Sequence, residues 1–128
     1  MSEKTSSSVK KIPQIAVITG DIVNSQNSEQ GDDWLSALKK QLSHYGESPR
    51  DWQIYRGDSF QLIVHQPEDA FGVALRLKAV IKRYKELDVR MAIGVGDLEH
   101  HADQVLQSNG EAFVNSGRKF DSLKKQTL

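Results

Sequence analysis

Apolar residues enter the chain as one dense run, Ile15-Ala16-Val17-Ile18, continuing through Thr19-Gly20-Asp21 into Ile22-Val23. A short, β-branched run that is apolar at successive positions predicts a strand over Ile12–Val23, buried on both faces. After the polar stretch Asn24–Gly31, apolar positions recur at Trp34, Leu35, Leu38, Leu42 and Tyr45. That spacing predicts a helix capped by Asp32 or Asp33, ended near Gly46, with Pro49 just beyond. Two short β runs, Trp52–Tyr55 and Phe60–His65, flank Arg56-Gly57-Asp58-Ser59 and predict a hairpin.

Pro67, followed by Glu68 and Asp69, suits a helix start. Ala70, Ala74, Leu77, Ile81 and Tyr84 share one face of a helix expected to run to about Leu87. Val89–Val95 predicts a further strand, with Gly94-Val95-Gly96-Asp97 as the turn that ends it. A polar loop through Asn109 and Gly110 then leads to a helix from Glu111 to about Lys125, apolar at Phe113, Phe120 and Leu123. The order β-α-β-β-α-β-α begins with the six elements of a ferredoxin-like split unit. The expected fold class is therefore α/β, an α+β sandwich with helices packed on one face of a palm-like sheet, plus a C-terminal helix.

Composition narrows the setting. The chain has 128 residues, enough for one domain with its own core. Met1–Lys11 is polar and rich in Ser and Lys, and reads as a disordered segment before a domain over 12–128. The abrupt end at Thr127-Leu128 reads as that of a fragment of a longer protein. Lys and Arg total 17, as do Asp and Glu, and this balance argues against DNA binding by this segment alone. The absence of cysteine excludes disulfides, thiolate metal sites and cysteine nucleophiles. No membrane-spanning run or signal-peptide pattern is present, so the expectation is a cytoplasmic protein with no membrane partner.

The chemistry concentrates at two aspartates. Asp21 follows the first strand run and a glycine, and Asp58 lies in the hairpin turn, also after a glycine. In a split βαββαβ sheet the first strand lies beside the hairpin, which brings the two carboxylates close. Such a pair repels unless a proton or a cation intervenes, and Mg²⁺ suits one or two carboxylates with water and phosphate completing its shell. Gly20 and Gly57 remove side-chain bulk, so a phosphate could approach the backbone. The plainer alternatives are that Asp58 holds its turn and Asp21 caps a loop. Arg56 and Arg118 are the candidates for phosphate contact; Arg118 could instead pair with Asp121 or Glu111 on its own helix. His100-His101 beside Glu99 and Asp103 could bind a transition metal or could simply be solvated. Ser25, Ser59 and Ser116 have no histidine at an interpretable position, and His65 reads as structural.

Thr19-Gly20-Asp21-Ile22-Val23 resembles the first metal motif of class III nucleotidyl cyclases. Tyr55-Arg56-Gly57-Asp58-Ser59-Phe60 is similar to their hairpin motif and, more loosely, to that of GGDEF diguanylate cyclases. Val89–Gly96 resembles a later cyclase strand. The order Ile18–Ser25, Arg56–Gln61, Arg90–Gly96 and Gly110–Asp121 more closely resembles the SatD family of bacterial proteins, over about Ile15 to Leu128. The resemblance implies a nucleotidyl-cyclase-like palm domain, Mg²⁺ or Mn²⁺ held by Asp21, Asp58 and the Ile22 carbonyl, and a homodimer. It also implies a nucleotide ligand, for whose phosphates Gly20, Arg56, Gly57 and Arg118 are the candidates by their own chemistry. Two departures weigh against cyclase activity. Asn115 lies three residues before Arg118 where cyclases space the pair by four, and Ser59 follows Asp58 where GGDEF proteins carry a catalytic glutamate. The expectation is a regulatory or ligand-binding domain with a degenerate nucleotidyl-cyclase fold that binds nucleotide through a divalent metal, with a Mg²⁺- or Mn²⁺-dependent enzyme acting on nucleoside triphosphate or phosphodiester bonds as the alternative.

Overall fold

The computed structural model describes residues 14–25, 33–100, 103–105 and 108–126. The expectations for Met1–Lys11, for Asp32 as a cap and for the Thr127-Leu128 end lie outside these residues. Strand β1 (Gln14–Val23) is followed by helix α1 (Asp33–Leu42), hairpin strands β2 (Trp52–Tyr55) and β3 (Ser59–Val64), and a 3-10 turn (Pro67–Asp69). Helix α2 (Ala70–Lys82), strand β4 (Asp88–His100), a two-residue strand β5 (Asn109–Gly110) and helix α3 (Glu111–Gln126) complete the order. The sheet order is β2-β3-β1-β4-β5, with every neighbouring pair antiparallel. This is the ferredoxin-like arrangement, an α+β sandwich.

β1 is central, and its side chains alternate between two covered faces. Ala16, Ile18 and Ile22 join Trp34, Leu38 and Leu42 of α1 and Val73, Leu77 and Ile81 of α2 in the larger core. Ile15 and Val17 face the other way, into a smaller core with Ile63, Val105 and Ala112. The double burial expected of this strand is observed, and its cause is α3: the C-terminal helix crosses the face opposite α1 and α2. Fully buried side chains such as Leu77 and Ile81 each contribute about 1.5–3 kcal/mol.

Two pairs of contacts explain glycines. Gly20 lies opposite both Phe60 and Met91, and a Cβ there would sit 2.6 Å from Phe60 Cζ and 2.9 Å from Met91 Cγ. On the other face a Cβ at Gly94 would overlap the Ser116 backbone nitrogen and the Ala112 carbonyl, and one at Gly96 would meet Glu111. The sequence Gly94-Val95-Gly96-Asp97 is therefore not the expected turn. It is continuous strand, and its glycines let the backbone of α3 settle directly on β4. Side chains of α3 also cover the strand's outer edge: Asn115 donates to the Val95 carbonyl at 3.0 Å and Lys119 to the Ile93 carbonyl at 2.9 Å. Covering these acceptors removes part of a free edge that could otherwise pair with another strand.

Helix α2 ends at Lys82, short of the expected Leu87. The amides of Tyr84 and Leu87 bond back to Ile81 and Tyr84 as turns, and Glu86 adopts a left-handed φ of 67°. This reversal buries Leu87 and starts β4 at Asp88, where Lys78 Nζ lies 2.7 Å from the carboxylate and Lys82 Nζ 4.0 Å. Burial pushes the Asp88 pKa up. Hydrogen bonds from Lys78 and the Val89 amide, with the charges of Lys78 and Lys82, outweigh it, and the net shift is downward. A lowered native pKa stabilises the fold above the unfolded value of about 3.9, and that contribution is lost as pH falls through the native one. Wild type should therefore be more stable than Asp88→Asn at neutral pH, with the gap closing below about pH 4; urea melts across pH check this.

Candidate functional site

Residues opposite one another in antiparallel strands point to the same face. The register sets Tyr55 opposite Ser59, Ser59 opposite Asp21 and Asp21 opposite Arg90. One polar row thus crosses four strands on the face that carries α3. Two residues along, Gln53, Gln61, Thr19 and Ala92 form a parallel row. Helix α3 closes over this second row through Ser116, whose hydroxyl lies 2.6 Å from that of Thr19 and 3.3 Å from the Ala92 carbonyl. Both hydroxyls are buried, so each is satisfied by the other and by nearby acceptors.

Asp21 is held by protein. Arg90 Nε donates to Asp21 Oδ1 at 3.2 Å and Nη2 to Oδ2 at 3.0 Å, a bidentate pair. The Asp21 side chain is 14% exposed and that of Arg90 30%, so the pair is largely out of water. The Tyr55 phenol, in the same row, has its pKa raised above 10.0, chiefly by burial and further by the charge of Asp21, against a lowering by Arg56. It stays protonated at neutral pH and can donate a hydrogen bond.

Asp58 has a different partner. Ser25 Oγ donates to Asp58 Oδ2 at 3.0 Å, while the Ile22 amide donates to the Asp58 carbonyl at 2.8 Å. In an antiparallel strand the amide and carbonyl of one residue face the same neighbour, so the Ile22 carbonyl also turns toward the hairpin. Ile22, next to Asp21 in the chain, thus pairs with Asp58 at one corner of the sheet. Each carboxylate there has its own donor, Arg90 for Asp21 and Ser25 for Asp58.

The other candidates are placed as follows. Gly20 is buried in the central strand, its Cβ space taken by Phe60 and Met91 and its position paired on both sides. Its missing side chain makes room for an aromatic ring rather than for a phosphate. Arg56 and Gly57 form the exposed hairpin tip with left-handed φ of 56° and 85°, and the Arg56 guanidinium lies 5.7 Å from the Tyr55 ring centroid. Arg118 is exposed on α3, and among the described residues it forms no ion pair with Asp121 or Glu111. Glu111 instead accepts from the Asp97 amide at 3.3 Å. His65 bonds Asp51 at 3.3 Å, which in turn accepts from the Glu47 amide, a structural contact. The His100-His101 pair falls outside the described side chains. Ser25 and Ser116 are engaged with Asp58 and Thr19 as above.

A groove of about 500 Å³ is lined by Tyr45, Val64, His65, Asp69, Gly72 and Arg76, and of the described candidates it contains His65 alone. Val64 pairs with Ala16 and Ser59 with Asp21, so the groove and the aspartate corner lie five residues apart along β1, about 17 Å at ~3.4 Å per residue.

The donor set was weighed against the divalent cation that the cyclase resemblance implies. Both Asp21 oxygens are taken by a guanidinium that does not deprotonate, and one Asp58 oxygen by Ser25. Among the described residues no three His, Asp or Glu side chains converge as a metal-binding group. As arranged here, the corner does not fit a divalent cation.

The fold and the site together define a ferredoxin-like α+β sandwich with a polar sheet face beside its C-terminal helix. Compared with known families and curated proteins, the chain matches no family model and no curated sequence. No described helix is long and apolar enough to cross a membrane.

Proposed function

We propose that the chain is a SatD-like regulatory or ligand-binding domain of the cytoplasm, with a degenerate nucleotidyl-cyclase fold. Its ligand is a nucleotide laid against the Tyr55–Ser59–Asp21–Arg90 row, with Arg56 at the hairpin tip and Arg118 as phosphate contacts. The observation that carries this reading is the clamp of Arg90 on Asp21, which withdraws a metal-motif carboxylate from catalytic duty. The Tyr55 phenol, kept protonated by burial, can donate a hydrogen bond to such a ligand, while the Gln53 and Gln61 amides beside it are engaged with Gln104 and Thr19. A homodimer, implied by the same resemblance, belongs instead to the enzymatic alternative.

The runner-up is a Mg²⁺- or Mn²⁺-dependent enzyme acting on nucleoside triphosphate or phosphodiester bonds. It is favoured by one observation, the Ile22 amide bonding the Asp58 carbonyl, since strand geometry then turns the Ile22 carbonyl toward the same hairpin. Thermal unfolding with ATP or GTP, in chelator and in Mg²⁺ or Mn²⁺, separates the two. Saturation at about 100 times Kd stabilises the native state by ~2.7 kcal/mol. A shift in chelator that is lost in Arg56→Ala supports ligand binding. A shift that needs metal and is lost in Asp58→Asn supports the enzyme, and no shift in any condition removes both.

A further inference from the structure

We propose that Arg90 is a built-in counter-ion that takes the place of a divalent cation at Asp21 and makes the site metal-independent. The inference deepens the ligand-binding reading and rests on it for which ligand arrives; the exclusion of metal is a property of the protein alone. Position comes first. The register sets Arg90 directly across from Asp21 on the same sheet face, so the guanidinium and the carboxylate meet across adjacent strands. Geometry comes second. The fork of Nε and Nη2 spans both carboxylate oxygens at 3.2 and 3.0 Å, so a cation bidentate on them must displace a donor and one at a remaining lone pair lies beside the guanidinium charge.

Charge comes third. The guanidinium stays protonated at any working pH, and the pair is neutral and mostly shielded from water. A divalent ion at Asp21 would have to break this pair and then sit beside the displaced positive charge, where low local dielectric magnifies repulsion. Asp58 does not restore the pair of carboxylates: with one oxygen accepting from Ser25, it offers a cation a single carboxylate without Asp21 beside it. The anionic groups of a ligand would therefore meet fixed guanidinium groups at this face and not a metal bridge.

Mn²⁺ binding to the full chain without nucleotide, followed by calorimetric titration, tests this. Arg90→Gln should bind Mn²⁺ about tenfold more tightly than wild type or better, and the added substitution Asp21→Asn should abolish the gain. Arg90→Lys, which keeps a point charge but loses the fork, should gain less than Arg90→Gln and carries the test if the glutamine variant fails to fold. Wild-type affinity equal to that of Arg90→Gln, or a gain that survives Asp21→Asn, would overturn the proposal. Tighter Mn²⁺ binding in Arg90→Gln with no nucleotide shift in any condition would sink the ligand reading and leave metal exclusion standing. A metal-independent nucleotide shift in a wild type that binds Mn²⁺ through Asp21 would do the reverse.

Discussion

Gly94→Ala is expected to destabilise the domain by about 3 kcal/mol, lowering Tm by roughly 10 °C or more. A methyl group at this position would overlap the Ser116 nitrogen and the Ala112 carbonyl. Both are backbone atoms of one helix, so no rotamer change can relieve the clash, and α3 must lift from β4. Lifting it exposes Ala112 and separates the buried Thr19 and Ser116 hydroxyls, whose lost partners add to the cost. Gly117, one turn further along α3, is the internal control, because a Cβ there meets nothing within 4 Å. Gly117→Ala should stabilise by about 0.5–1 kcal/mol through helix propensity alone. Urea denaturation of both variants checks the pair. A Gly94→Ala variant within about 0.5 kcal/mol of wild type would mean that α3 does not rest on β4 in this way.

The second large effect concerns the Asp21–Arg90 pair. Asp21→Ala and Arg90→Ala should each cost about 2–3 kcal/mol, because each leaves a mostly buried charge without its partner. The double variant should cost clearly less than the sum, giving a coupling of about 1–3 kcal/mol. The pair is less enclosed than a core ion pair, with Arg90 30% exposed, which sets the estimate at the lower part of the range for buried bridges. A four-member cycle in urea at low and at high salt measures it. Coupling below about 0.5 kcal/mol would place the pair among ordinary surface contacts and weaken its role in shaping the site.

Much of this architecture was legible in the residues. The apolar run Ile15–Ile18 is too dense for a strand with one wet face, and β1 is covered on both. The helical spacing of Trp34, Leu38 and Leu42 marked α1, and the hairpin about Gly57 marked β2 and β3. The length of β4 was not legible, because Gly94 and Gly96 carry the usual signature of a turn; only the approach of a helix backbone explains glycine inside a strand. The early end of α2 was hidden in the same way. Tyr84 and Leu87 continue an apolar pattern after the backbone has already turned at Glu86.

The site divides along similar lines. Local motifs drew attention to Asp21 and Asp58, and topology brings Ile22 and the hairpin into contact. Arg90 was missed as the partner of Asp21 although it lay within a noted stretch. Its significance depends on the pairing of the start of β4 with the end of β1, residue by residue. The signal was available in principle: in a split βαββαβ unit the last strand runs antiparallel beside the first, so an arginine early in it faces a carboxylate late in β1. Fixing which residue meets which requires the register, and β4 runs on past its glycines in a way that hides it. Tyr55 and Gln61 were overlooked for the same reason, since a row across four strands has no trace in linear spacing.

The proposed ligand face is the polar row through Asp21 and not the groove near His65. Backbone amide chemical shifts of the isotope-labelled chain, followed as GTP or ATP is added, distinguish the two. The shifts should concentrate at Asp21, Ile22, Tyr55 to Gln61 and Arg90. Shifts confined to the groove at Tyr45, His65 and Arg76, or absent altogether, would contradict it.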